Sequence, residues 1–156
     1  MVATAHTLTK DTQQQVATEL QPVLASLIDL ALQGKQAHWN VVGPRFMMVH
    51  EQLDKFVDDL HEWSDEVAER LRALEFPAEG QAGTVTKQSS LQELPSGAIP
   101  DHEVVKHVAT RIAAVAAQGR AVITRLDPID HISQDVVSGI VKGLEKHLWM
   151  FGVQQG

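Results

Sequence analysis

Two histidines and three carboxylates, His38, His50, Asp54, Asp65 and Glu69, are the residues of this chain whose types and spacing could hold a metal. Imidazole and carboxylate donors suit iron and would also bind zinc, so the types alone leave the ion open. A site of this kind with open positions could also activate water, which keeps a metal-assisted hydrolase in view. His50 and Asp54 stand four apart, as do Asp65 and Glu69, and on a helix each pair projects from one face. Asp65 follows Asp54 by eleven positions, close to three whole turns, so both pairs share that face but lie about 16 Å apart along the axis. One helix cannot gather all four around one ion.

The numbering suggests what could. Positions 50 and 69 are symmetric about the midpoint between Asp59 and Leu60, and so are positions 54 and 65. If two copies of the helix pack antiparallel across a two-fold axis at that point, His50 falls opposite the partner's Glu69 and Asp54 opposite the partner's Asp65. Two identical sites follow, one on each side of the axis. An isologous dimer is the commonest symmetric association, so the requirement is modest.

The elements that must position these residues are helices. The chain of 156 residues is 44% hydrophobic, enough for one domain with a proper core. Residues 1 to 11 are small and polar and read as an arm, with a single domain over 12 to 156. From about Thr12 to Asn40, Val16, Leu20, Val23, Leu27 and Ala31 recur at three and four, the mark of an amphipathic helix. Pro22 either kinks that helix or marks its true start. His38 continues the apolar stripe, where a histidine can also be a buried structural group. Gly43 and Pro44 mark a turn, and a second helix runs from there to about Phe76. Along one flank of its apolar face lie His50, Asp54, Asp58, His61, Asp65 and Glu69. Acidic stripes of this kind are usually solvated surface, but two histidines and the symmetric spacing argue for more.

Between Phe76 and Pro100 glycine, proline, serine and threonine dominate, and the capping-box pattern Ser90 to Glu93 predicts a short helix within the connection. A third long helix is expected from about Asp101, its N-cap, to Leu126, and a fourth from about His131 to Phe151. No stretch alternates with period two, so no sheet is expected. The fold class is all-α, a four-helix bundle with one long crossover.

Composition excludes several classes. There is no cysteine, so neither disulfides nor thiolate metal ligation is available. No apolar run approaches a bilayer span and the N-terminus lacks a basic, apolar, cleavable signal, which leads us to expect a cytoplasmic protein without membrane contact. The net charge of -7 argues against general nucleic-acid binding and suits a protein that attracts cations.

The motifs also resemble a known family. His38-Trp39-Asn40-Val41-Val42-Gly43, then Phe46, His50-Glu51, Asp54, the run Asp65-Glu66-Val67-Ala68-Glu69-Arg70, and Lys146-His147-Leu148-Trp149-Met150 are similar to the signature of the Dps proteins, the mini-ferritins named as DNA-binding proteins from starved cells. The resemblance implies a ferritin-like bundle assembled into a dodecameric shell from two-fold dimers. Such a shell oxidises Fe(II), preferably with hydrogen peroxide, stores the Fe(III) mineral inside, and protects the cell from oxidative damage. It implies that His38, His50 and Asp54 of one subunit and Asp65 and Glu69 of the other form the ferroxidase centre, with zinc as a surrogate ion. Trp39 and Trp149 would sit nearby as radical interceptors. Glu51 and Glu62 would face the cavity and nucleate mineral, unless they serve solubility alone. Asp127, Asp130, His131 and Asp135 resemble the acidic segment of the family's three-fold pores, although helix capping also explains acids there. DNA binding is expected to be weak or absent, because the N-terminal arm offers only Lys10 and the C-terminal Val153-Gln154-Gln155-Gly156 carries no base. The alternatives are a structural, adhesive or DNA-condensing shell and the hydrolase above.

Overall fold

The computed structural model describes residues 7–155. Four long helices carry the fold: α1 (Lys10–Asn40), α2 (Phe46–Ala73), α4 (Asp101–Leu126) and α5 (His131–Gly152), with a short α3 (Ala82–Gln88) in the crossover. α1 packs along α2 and α4 along α5, and the two pairs close on each other mainly through α1 and α4. The short connections within each pair make its members neighbours, whereas the long one between α2 and α4 must cross the bundle. The core is the expected periodic stripe: Leu20 and Leu27 of α1, Leu53 and Leu60 of α2, Ile112 of α4 and Ile140 of α5 are all buried. Of the expected arm, residues 1–6 lie outside the described residues.

Several local expectations are corrected. α1 starts at Lys10, because the Thr9 hydroxyl accepts from the Thr12 amide and caps the first turn; it then runs through Pro22 rather than starting there. α2 stops at Ala73, short of Phe76, in a Schellman turn. The Phe76 amide donates to the Leu71 carbonyl (3.0 Å) and the Glu75 amide to the Arg72 carbonyl (3.0 Å), with Glu75 in the left-handed region at φ 66°. The crossover helix lies before the capping-box pattern rather than on it. The Ser89 hydroxyl donates to Asp29 of α1 (2.5 Å), and the carbonyls of Gln92 and Glu93 accept from the buried Arg111 guanidinium (2.8 Å each), so 90–93 is pinned in an open path instead of coiling.

A small sheet, not expected, ties the crossover to the α1–α2 turn. β1 (Val41–Val42) and β2 (Ile99–Pro100) pair in parallel, Val41 with Ile99 and Val42 with Pro100. Asp101 is the first residue of α4 rather than its N-cap, and its carboxylate instead accepts from the Arg45 amide (2.8 Å) and guanidinium (3.3 Å). These hydrogen bonds, the amide's first, hold the Asp101 carboxyl below the usual carboxylate range. Gly43 is required beside it: its φ is +128°, and a Cβ would lie 2.5 Å from an Asp101 carboxylate oxygen.

Candidate metal centre

The last turn of α1 and the first turns of α2 bring three predicted ligands together. One ligand atom from each of His38, His50 and Asp54 lies within 4.8 Å of the others, and among the described residues no other such group of histidines and acids forms. His38 is buried, while His50 and Asp54 are half-buried at the edge of the α1–α2 pair. The two imidazoles stack with centroids 3.6 Å apart. His38 Nδ1 donates to the His50 carbonyl (3.0 Å) and His50 Nδ1 donates to the His38 carbonyl (2.9 Å). A carbonyl can only accept, so both ring protons sit on Nδ1 and both Nε2 lone pairs are available to an ion. The backbone thus fixes tautomer and ring orientation together.

Asp54 carries a feature that the sequence did not mark. The Lys35 ammonium donates to its Oδ1 at 2.5 Å, and His38 Nδ1 lies 3.3 Å from the same oxygen. The Lys35 hydrogen bond, aided by the charge of the same ammonium and opposed by partial burial, holds the Asp54 carboxyl below the usual carboxylate range. A lysine ammonium therefore takes the Asp54 oxygen that a metal cation would use.

Asp65 and Glu69 do not join this group within one chain. Both are exposed on α2. Asp65 lies on the lip of an apolar groove of 490 Å³ between α1 and α2, with Leu32, Trp39, Val57 and His61. Leu32 and Trp39 are 60% and 66% exposed there, a large apolar surface left open beside half of a coordination sphere. Trp39 adjoins His38 in sequence, and Trp149, on α5, is 65% exposed. Glu51 and Glu62 are exposed on α2.

At the start of α5 the predicted pore residues divide. Asp130 is buried and caps the helix, accepting from the Ile132 and Ser133 amides (3.3 and 3.2 Å), the Ser133 hydroxyl (2.5 Å) and the Arg70 guanidinium (2.7 Å). Burial pushes its carboxyl up, but the Ser133 and Arg70 hydrogen bonds together outweigh that and leave it below the usual range. This is the capping role, and it leaves Asp127, His131 and Asp135 as the exposed members of the set.

The fold and this site define a class of protein, and comparison with known proteins agrees. A family profile described as a ferritin-like domain matches residues 17–155. The chain is 35% identical over 147 residues to the DNA protection during starvation protein of Agrobacterium fabrum, covering 94% of this chain and 91% of the relative. It is also 35% identical over 142 residues to the fine tangled pili major subunit of Haemophilus ducreyi, covering 91% and 75%. Among solved structures, the Dps of Microbacterium arborescens in its high iron form superposes with a TM-score of 0.89 at 32% identity, covering 97% of each chain. The chain belongs to the ferritin-like proteins and, within them, to the Dps family.

Proposed function

We propose that this protein oxidises Fe(II), preferably with hydrogen peroxide, at sites shared between subunits and stores the Fe(III) product in the cavity of a dodecameric shell. The observation that carries this reading is the half-site. His38, His50 and Asp54 converge, each imidazole held through Nδ1 on a backbone carbonyl, while Asp65 and Glu69 stand apart on α2, Asp65 beside an open apolar groove. A second copy packed antiparallel on that groove would cover Trp39 and bring its own Asp65 and Glu69 to the histidines. Two imidazoles and three carboxylates make a mostly oxygen-donor set that binds Fe(II) weakly enough for the oxidised ion to move on. Two Fe(II) ions held together can deliver both electrons to one peroxide, 2 Fe(II) + H2O2 + 2 H+ giving 2 Fe(III) + 2 H2O, without releasing hydroxyl radical. The Microbacterium relative, described in a high iron form, supports iron as the substrate.

On this reading Trp39 and Trp149 intercept stray radicals, Glu51 and Glu62 receive ions at the cavity wall, and Asp127, His131 and Asp135 line an ion path. The protein would act in the cytoplasm; among the described residues no helix is long and apolar enough to cross a membrane. Protection would come from removing iron and peroxide rather than from coating DNA, since the net charge is -7. A gel shift of duplex DNA at physiological salt would count against that last point.

The test is stopped-flow oxidation of Fe(II) by peroxide in the wild type and in Asp65→Ala, with assembly followed by native mass spectrometry. Rapid oxidation is expected to disappear in the variant while the shell persists, and equal rates would remove Asp65 from the site. The pilus-subunit relative favours a second, purely structural reading. That reading predicts no stoichiometric Fe(II) binding under anaerobic conditions.

A further inference from the structure

The iron reading uses only Glu51 of a pocket of 850 Å³ between α2 and α5, which three of the chain's four methionines also line. Met47 and Met48 enter it from the first turn of α2 and Met150 from the last turns of α5. Met48, Gln52, Lys55 and Asp59 of its lining stand about 140–180° around α2 from His50, while Met47, three residues before His50, stands about 60° from it. Methionine in a core fills gaps and is buried. Here Met47 and Met48 are 60% and 48% exposed and Met150 is partly exposed, so their thioethers are open to a ligand.

The donor chemistry is specific. A thioether is neutral and polarisable, a poor ligand for Fe(II), Mg(II) or Zn(II) among carboxylates, and a good one for a soft monovalent cation. With no cysteine in the chain, thioethers are its only soft donors, and three of its four line this pocket. The pocket floor carries no competing imidazole lone pair at the surface. His147 Nε2 hydrogen-bonds to Asp59 (2.6 Å) and His147 Nδ1 is buried, so neither ring nitrogen is presented to an ion at the pocket surface. The carboxylates of Glu51 and Asp59 at the rim balance the ammonium groups of Lys55 and Lys146.

We propose that Met47, Met48 and Met150 form a thioether site for Cu(I), separate from the histidine and carboxylate centre. Copper held by three thioethers is stabilised in its reduced state, which restrains its one-electron reaction with peroxide.

The experiment titrates the assembled, metal-free protein anaerobically with Cu(I) buffered by a chromophoric chelator, and then examines the copper by X-ray absorption. The wild type is expected to withdraw one Cu(I) per chain from the chelator and to show sulfur scatterers. The variant carrying Met47→Leu, Met48→Leu and Met150→Leu, with unchanged circular dichroism and native mass, is expected to lose that uptake. Equal uptake by the variant, no uptake by the wild type, or copper surrounded only by nitrogen and oxygen would each overturn the site. Should the triple variant fail to assemble, the unaltered sequence grown with selenomethionine decides alone. A copper–selenium shell supports the assignment and its absence refutes it.

Discussion

At the residue scale the metal centre turns on hydrogen bonds that no spacing rule announces. The types and intervals of His50, Asp54, Asp65 and Glu69 were legible because helical periodicity maps sequence to face. The reciprocal bonds between each imidazole and the other histidine's carbonyl were not legible, because they depend on where α1 ends relative to the start of α2. Lys35 was equally silent, being one of many lysines on helix surfaces until its ammonium meets a carboxylate nineteen residues away. Its position makes a prediction with two signs. In Lys35→Met the competing cation is gone, so Zn(II), used as a redox-inert probe, is expected to bind a few-fold more tightly at neutral pH. The same change removes the main influence lowering the Asp54 carboxyl, which returns toward its ordinary value of 3.8. Protons then compete for Asp54 at a higher pH than in the wild type, and the variant's advantage should shrink as the solution is acidified. Calorimetric titration at several pH values reads both effects, and an unchanged affinity at neutral pH would show that Lys35 is a bystander.

At the scale of elements, the four long helices were readable from apolar recurrence alone, and α4 begins and ends where the pattern placed it. What went astray was the crossover, for a physical reason. Its conformation is set by partners far away in sequence: Arg111 on the carbonyls of Gln92 and Glu93, Asp29 on Ser89, and β1 on β2. A capping-box pattern is a local signal, and tertiary hydrogen bonds from the buried Arg111 guanidinium override it. Asp130 shows the opposite case, a local cap strengthened by a tertiary partner, because Arg70 carries the end of α2 onto the start of α5. Replacing Asp130 by Ala removes the cap and leaves a mostly buried guanidinium with the Ser133 hydroxyl but no carboxylate, an expected loss of roughly 2–4 kcal/mol in urea unfolding. The pH dependence follows from the depressed carboxyl. A group whose pKa is lower in the folded than in the unfolded chain contributes stability above the unfolded value and loses it as pH falls through the folded one. The gap between wild type and Asp130→Asn is therefore expected to be full at neutral pH and to close below about pH 4. A gap that widened on acidification would mean that Asp130 is not ionised in the fold.

At the scale of the whole molecule the question is whether one chain ever owns a complete centre. Within one chain Asp65 lies on the lip of an apolar groove and Asp54 in the cluster with His38 and His50, and helix geometry keeps the two pairs about 16 Å apart along α2. On the proposed reading an antiparallel partner supplies the acidic half without unwinding α2. The consequence can be tested without any structure of the assembly. One variant carries His50→Ala and Asp54→Ala, the other Asp65→Ala and Glu69→Ala. Alone, each builds shells in which every centre lacks one half, and each is expected to have lost rapid Fe(II) oxidation by peroxide. Co-expressed, they form mixed dimers in which one centre lacks both halves and the other joins the intact histidine side of one chain to the intact acidic side of its partner. With random pairing half of the dimers are mixed and one centre in two is whole, so activity should return to about a quarter of the wild-type level. Centres contained within single chains would give no recovery at any mixing ratio. Recovery that rises and falls with the product of the two chain fractions would be the signature of a site completed by a second copy.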